Sequence, residues 1–335
     1  MNNACSLSDK NQVTIVVYVD DLMITSLRER DLQKTIDDLR HKLKNITVHE
    51  GKIHSYLGMR FDFSTPGQVS ITMPGYVEDT LREYAPHSPS VLTPALSDLF
   101  NIDTNADKLD AQQSRIFHTC VAKLLYLAKR TRPDILLPVN FLCTRVRDPT
   151  VEDQRKLDRV LRYLKGTKEI GITLSPAKTV EVDAHVDASY ATHADAKGHT
   201  GIVIALGNGP VFVRSSKQKL VARSSTESEL IGLADAVTQV IWCREFLLSQ
   251  GYKLDETVVY QDNASTVALA NKGQSTSEAT RHINVRFFYV HDKIASGDIK
   301  LVHKYTNEMV ADILTKPLQG SLFRKLRQSL LNWKV

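Results

Sequence analysis

Four carboxylates in the second half of the chain stand where they could act together. Asp187 lies in the alternating run His185-Val186-Asp187-Ala188-Ser189-Tyr190, and Asp262 ends the run Val258-Val259-Tyr260-Gln261. Glu229 opens a long helical pattern after Ser224-Ser225-Thr226-Glu227-Ser228, and Asp312 sits in Val310-Ala311-Asp312-Ile313-Leu314-Thr315-Lys316. Two strand ends and two helices can bring four acids to one point. Anions so crowded repel one another and stay ionised only with cations between them. Two hard divalent ions in such an oxygen-only site can hold both oxygens of an in-line attack on a phosphodiester. Taken singly, each acid reads as a solvated surface residue, like most of the 38 in the chain. The ordered set is what points to chemistry.

A second acidic feature lies near the start. The β-branched run Val13-Thr14-Ile15-Val16-Val17-Tyr18-Val19 ends in Asp20-Asp21, and Leu22-Met23-Ile24-Thr25 resumes it. The pattern predicts a β-hairpin with two carboxylates at its tip. An Asp-rich turn with no further role is the plainer alternative.

The elements that must position these acids follow from the rest of the pattern. Ser26-Leu27-Arg28-Glu29 reads as a capping box opening a helix with the stripe Leu32, Ile36, Leu39 and Leu43. Residues His54–Phe61 and Val69–Met73 read as two strands around a Pro66-Gly67 turn, and Pro74-Gly75 precedes a short helix ending at Tyr84. Residues 85–112, with Pro86, Pro89 and Pro94 among Ser, Asp and Asn, read as linker. Three helical patterns come next. Phe117, Val121, Leu124, Leu125 and Ala128 mark the first, Pro133 fits the first turn of the second, and Thr150 caps the third.

From Ile170 the pattern returns to strands: Gly171–Leu174, Val180–Val186, Gly201–Leu206 and, after an Asn208-Gly209 turn, Val211–Val213. The order strand, strand, strand, helix, strand, helix, strand, helix predicts a mixed five-stranded sheet with helices on its faces, an α/β fold. The expected division is 1–112, a helical connection over 113–169, and an α/β domain over 170–335 of a size that folds alone.

Bulk composition narrows the class. Lys and Arg number 43 against 38 acids, a net charge of +5. From Arg281 to Val335 the balance is ten basic residues against four acidic, a local +6 suited to phosphate. A solvated helix face is the alternative reading of the same residues. Cys5, Cys120, Cys143 and Cys243 are widely spaced with no CxxC, so neither a zinc site nor a disulfide framework is expected. No apolar run reaches the roughly 18 residues of a membrane span, and the polar start, Met1 to Gln12, lacks a signal-peptide core. These features predict a soluble intracellular protein, cytoplasmic or nuclear and not secreted, with no membrane partner.

In this order the motifs closely resemble the ribonuclease H domain of copia-type retrotransposon polyproteins. The likeness rests on His185–Ala191, Ser224–Leu230, Tyr260-Gln261-Asp262-Asn263, Arg281-His282-Ile283-Asn284-Val285-Arg286 and Val310–Leu318. It implies that Asp187, Glu229, Asp262 and Asp312 bind two Mg²⁺ ions, with Mn²⁺ as a substitute. Glu227 is the rival for the glutamate position, and the family pattern favours Glu229, which leads directly into Leu230-Ile231. Asp187 would bridge both ions, Glu229 and Asp262 would hold the ion near the leaving 3′-oxygen, and Asp312 the ion that activates water. The implied reaction is cleavage of the RNA strand of an RNA–DNA hybrid, sensed through 2′-hydroxyls in the minor groove. Ser224, Ser225, Thr226 and Asn263 are candidates for that contact, with helix capping as the equal alternative. Arg281 and Arg286 are further candidates for substrate binding. His303 falls in a strand pattern, so it is not assigned the loop histidine that many ribonucleases H carry.

The resemblance extends forward. Tyr18-Val19-Asp20-Asp21 is similar to the reverse-transcriptase palm motif, Tyr56-Leu57-Gly58-Met59 to the strand leading from palm to thumb, and 113–169 to the connection. Only 17 residues precede Tyr18 and their one acid is Asp9, so a truncated palm without its third metal-binding Asp is expected. Two rival functions stand beside the nuclease. One is a reverse-transcriptase fragment whose polymerase portion is supplied as a separate chain. The other is an inactive, domesticated module that binds nucleic acid without cutting it.

Overall fold

The computed structural model describes residues 12–84, 89–178, 180–254, 256–272 and 281–333, with 281–285 described as helical backbone only. Strands β1 (Val13–Tyr18) and β2 (Asp21–Ser26) form a two-stranded antiparallel hairpin in which Tyr18 faces Asp21. Ile15, Val16 and Val17 remain exposed on it. Helix α1 (Glu29–Leu43) follows, but the capping box expected at Ser26 does not form. Ser26 is still held in β2, and its hydroxyl accepts from the Arg28 N–H at 3.3 Å instead.

The run expected as a single strand over 54–61 is two: β3 (Ile53–Tyr56) and β4 (Met59–Asp62). The chain reverses at Leu57-Gly58, where both φ angles are positive (52° and 72°). Such a two-residue turn matches the twist of its flanking strands. Strand β5 (Val69–Thr72) and helix α2 (Pro74–Tyr84) complete this region.

Residues 89–110, expected as linker, are packed. Ala95 and Leu99 are buried, Phe100 stands edge-on to Phe141, and the Thr93 hydroxyl donates to Gln319 at 2.9 Å. The prolines deny this segment regular pairing, but its apolar side chains still find a core. Pro86 lies outside the described residues. Helices α3 (Ala111–Arg130), α4 (Leu136–Cys143) and α5 (Val151–Lys165) follow, with a 3-10 helix at Pro133–Ile135. Thr150 caps α5 as expected, in a reciprocal box with Asp153.

Strand β6 (Ile172–Leu174) then pairs with β5, closing a four-stranded antiparallel sheet β3-β4-β5-β6. The five-stranded sheet is built by β7 (Val182–Ser189), β8 (His199–Leu206), β9 (Pro210–Lys217), β10 (Thr257–Gln261) and β11 (Lys300–His303). Their order is β11-β10-β7-β8-β9, with β7-β8-β9 antiparallel and β10 parallel to both its neighbours. Parallel neighbours need crossovers. Helix α6 (Ser225–Ser249) links β9 to β10, and α7 (Ala264–Lys272) and α8 (Arg281–Ala295) lie between β10 and β11. A 3-10 helix (Val310–Leu314) and α9 (Gly320–Leu331) end the described fold.

One apolar core lies between this sheet and α6, where Val182, Ala184 and Val186 of β7 meet Ile202, Leu233, Val237 and Val290. A second, larger core runs from Ile71, Met73 and Leu99 through Phe117, Leu124, Phe141, Leu161 and Ile172 to Val203, Leu314, Phe323 and Leu330. The boundary expected at 170 therefore does not coincide with a gap in packing. The run 171–174, read as the start of the α/β domain, serves the other sheet, and α9 is buried against the helices of 111–165. Cys120 is buried and Cys143 and Cys243 are half-buried, all as free thiols, while Cys5 lies outside the described residues. Among the described residues no helix is long and apolar enough to cross a membrane.

Candidate active site

The chain builds the five-stranded sheet outward from β7: β8 and β9 go to one side, β10 and β11 to the other. Open sheets gather ligands at the carboxyl ends of strands beside such a switch point. Asp187 sits near the end of β7, and Asp262 directly follows β10. Asp312, expected on a helix, lies in the short 3-10 helix. That short element rests on β8 at Gly201, the residue paired with Asp187. A β-carbon at Gly201 would come within 2.8 Å of the Ala311 carbonyl oxygen and of Leu314 Cβ, so only glycine admits this approach.

The structure brings carboxylate oxygens of Asp187, Asp262 and Asp312 within 4.8 Å of one another. Glu229 joins them from α6. Burial, reinforced by the charges of Asp187 and Asp262, pushes its carboxyl up to about 9. Asp312 is raised to about 7, by burial first and then by Asp187. Burial also raises Asp187, against the opposing pull of Lys316 and Thr315. Glu227 points elsewhere and accepts from the Arg223 N–H at 2.8 Å, so Glu229 is the glutamate at the cluster.

Each acid has a holder. The Gln261 carboxamide donates to Glu229 at 3.2 Å and accepts from the Asp262 and Asn263 N–H groups at 2.7 and 3.0 Å. The Thr306 hydroxyl donates to Asp262 at 2.9 Å. His303, in β11, lies 3.0 Å from the Asp262 carbonyl oxygen, and since a carbonyl only accepts, Nε2 carries the proton. The Thr315 hydroxyl donates to Asp187 Oδ2, and Lys316 Nζ stands 3.3 Å from Asp187 Oδ1 and 3.0 Å from Asp312 Oδ1. The sequence pattern alone assigns no role to Gln261, Thr306, Thr315 or Lys316. A glutamine at the end of an apolar strand, here fully buried, is the available signal for the first.

The remaining candidates separate. Ser224 caps α6, accepting from the Glu227 N–H at 3.2 Å, and Asn263 accepts from the Thr266 N–H at 3.0 Å at the start of α7. The capping alternative is thus realised for both. Ser225 is exposed and Thr226 half-buried beside them. Arg286 is half-buried on α8, and the side chain of Arg281 lies outside the described residues. Asp20 and Asp21 are exposed at the hairpin tip, apart from the group formed by Asp187, Asp262 and Asp312.

A buried relay anchors the element that carries Asp312. Ser215 donates to the Leu314 carbonyl at 2.7 Å, His199 Nε2 lies 2.7 Å from Ser215 Oγ, and His193 Nε2 lies 3.0 Å from His199 Nδ1. The terminal carbonyl fixes every proton: Ser215 has spent its hydrogen, so His199 donates from Nε2 and accepts at Nδ1 from His193. Burial accordingly lowers His199 to about 3 and His193 to about 4. Both lie below the ordinary value, so the unfolded chain binds protons first. The stability they confer is complete above about pH 6.5 and drains as pH falls toward 4, at about 1.4 kcal/mol per pH unit for each histidine. The raised Glu229 and Asp312 act with the opposite sign in metal-free protein, losing stability as pH rises. The relay is therefore isolated by comparing urea unfolding of wild type and His199→Gln between about pH 7 and pH 5. As pH falls the wild type should lose stability relative to the variant, and equal slopes would exclude neutral buried imidazoles.

A mixed sheet of this order, with acids gathered at its switch point, is a ribonuclease H-like fold. No family model matches the chain. Over 325 residues it is 32% identical to the retrovirus-related Pol polyprotein from transposon RE1 of Arabidopsis thaliana, covering 96% of this chain and 22% of that polyprotein. It is 26% identical over 329 residues to the corresponding polyprotein from transposon TNT 1-94 of Nicotiana tabacum, covering 96% and 24%. The foamy viral protease-reverse transcriptase in complex with RNA/DNA hybrid superposes with a TM-score of 0.51 at 12% identity, over 87% of this chain and 36% of that one. At that identity the likeness is one of fold. The chain belongs with the Pol polyproteins of copia-type retrotransposons and spans less than a quarter of the length of these relatives.

Proposed function

We propose that this chain carries a divalent-metal-dependent endonuclease that cuts the RNA strand of an RNA–DNA hybrid. The observation that carries the reading is the convergence of Asp187, Asp262 and Asp312 within 4.8 Å, with Glu229 close enough for its ionisation to be opposed by two of them. Only oxygen ligands are offered, which suits Mg²⁺, with Mn²⁺ as a substitute. Asp187, Glu229, Asp262 and Asp312 would hold the ions, which supply a polarised water and charge stabilisation at the phosphate. The chain's own part is positional. Gln261 fixes Glu229 and the Asp262 peptide together, Thr306 orients Asp262, and Thr315 orients Asp187. Outer hydrogen bonds of this kind set the direction in which carboxylates present their lone pairs. The exposed Ser225 lies at the start of the helix that bears Glu229, where a 2′-hydroxyl can be sensed.

The purified chain, given labelled RNA–DNA hybrid, single-stranded RNA and duplex DNA with Mg²⁺, should cut only the RNA of the hybrid. Products should carry 3′-hydroxyl ends, and chelation should stop the reaction. Hybrid binding without cleavage would replace this reading with the nucleic-acid-binding one. Primer extension on an RNA template would instead bring forward the polymerase reading of Asp20 and Asp21.

A further inference from the structure

Lys316 is placed by the same short element that places Asp312. Its N–H donates to the Asp312 carbonyl at 2.9 Å, and this turn carries the side chain back over the acid four residues earlier. The ammonium stands 3.3 Å from Asp187 Oδ1 and 3.0 Å from Asp312 Oδ1, bridging the two most buried aspartates of the site. The Thr315 hydroxyl takes the other oxygen of Asp187, so adjacent residues clamp both its oxygens. Mg²⁺ binds carboxylate oxygens at about 2.0–2.1 Å and demands near-octahedral geometry. An ammonium seated between the same two carboxylates obstructs that geometry. Lys316 also has somewhere to go, because its side chain is 39% exposed while those of Asp187 and Asp312 are 2% and 3% exposed.

We infer that Lys316 is a resident counter-ion of the Asp187–Asp312 pair, one that a divalent ion must displace to load the site. The inference rests on the reading of these acids as metal ligands. In metal-free protein the ammonium holds the two carboxylates together against their repulsion. When metal enters, the ammonium swings toward solvent and stays tethered at the mouth of the site.

The test is calorimetric titration of the full chain with Mn²⁺, alongside thermal unfolding in chelator. Lys316→Met should bind Mn²⁺ on the order of tenfold more tightly than wild type, about 1.4 kcal/mol, and should unfold at a lower temperature when metal-free. Lys300→Met, which removes the same charge from β11 beside Glu256, should change neither quantity. A merely structural lysine would lower stability without tightening metal binding. In wild-type protein the side-chain ammonium resonance of Lys316 should also shift in step with Mg²⁺ saturation, a readout that needs no variant. Normal Mn²⁺ binding by wild type with equal or weaker binding by Lys316→Met would overturn the displacement alone, as would an ammonium resonance that ignores Mg²⁺. A wild-type chain that bound no Mn²⁺ would overturn both this inference and the reading of the site on which it rests.

Discussion

Replacing Asp187 with asparagine is expected to abolish hybrid cleavage, a loss on the order of a thousandfold or more, while leaving the fold intact. The charge of Asp187 acts on both Glu229 and Asp312 more strongly than that of Asp262 does, so it stands at the centre of the site. Asparagine keeps the shape but withdraws an anion. Burial raises Asp187 above its ordinary value, which means that its ionisation costs folded-state stability when no metal is present. The variant should therefore unfold in chelator at the wild-type temperature or slightly above it, with some of the gain offset by a poorer fit to Thr315 and Lys316. Metal should no longer raise that temperature. Cleavage at the wild-type rate would remove Asp187 from the site.

Arg132→Met is expected to produce the largest loss of stability, roughly 3–5 kcal/mol. Arg132 is fully buried and donates to Asp134 at 2.9 and 2.8 Å, to the Thr167 carbonyl at 2.7 Å and to the Thr167 hydroxyl at 2.8 Å. Tyr163 donates to the same Asp134 and accepts from Arg327 of α9. Removing the guanidinium leaves a buried carboxylate without its counter-ion. Removing both charges, in Arg132→Met with Asp134→Leu, should recover much of the loss, since an apolar pair of similar volume often replaces a buried ion pair without penalty. Urea unfolding of the three proteins measures this. Because α9 shares that core, tryptophan fluorescence and hybrid cleavage should be lost together in each. A double variant no more stable than Arg132→Met would show that the ion pair is not what organises this core.

The strand ends that carry Asp187 and Asp262 are legible because alternation and apolar runs are local signals, and so is Glu229 at the head of a long helix. Asp312 is legible as an acid, but its element is not. Five residues are too few for a 3.6-residue period to distinguish a short 3-10 helix from a longer one. The reversal at Leu57-Gly58 hides inside a run that alternates like a single strand, although Gly58 marks the place where a positive φ is easy. The destination of β6 cannot be read at all, since three residues do not encode which sheet they join. Gln261, Thr315 and Lys316 acquire their roles only when separate elements meet, and nothing in their own neighbourhoods announces the meeting. Residues 89–110 mislead in the other direction: proline marks where regular pairing stops, not where burial stops.

Strand β6 has a mechanical meaning. The chain adds an edge to the sheet of residues 53–72 through Val69, Ser70 and Ile71 before it enters the sheet that carries the acids, and α9 returns to bury itself among the helices in between. Rotating one sheet against the other would break the backbone pair Ser175–Asn208, which ties the end of β6 to the turn between β8 and β9, and pry open a shared core. The two sheets are thus joined by a stiff edge instead of a hinge. Under the nuclease reading proposed above, the distance from the first sheet to the acids would be set by the dimensions of the protein, as a stop block on a bench sets the length of every piece cut against it.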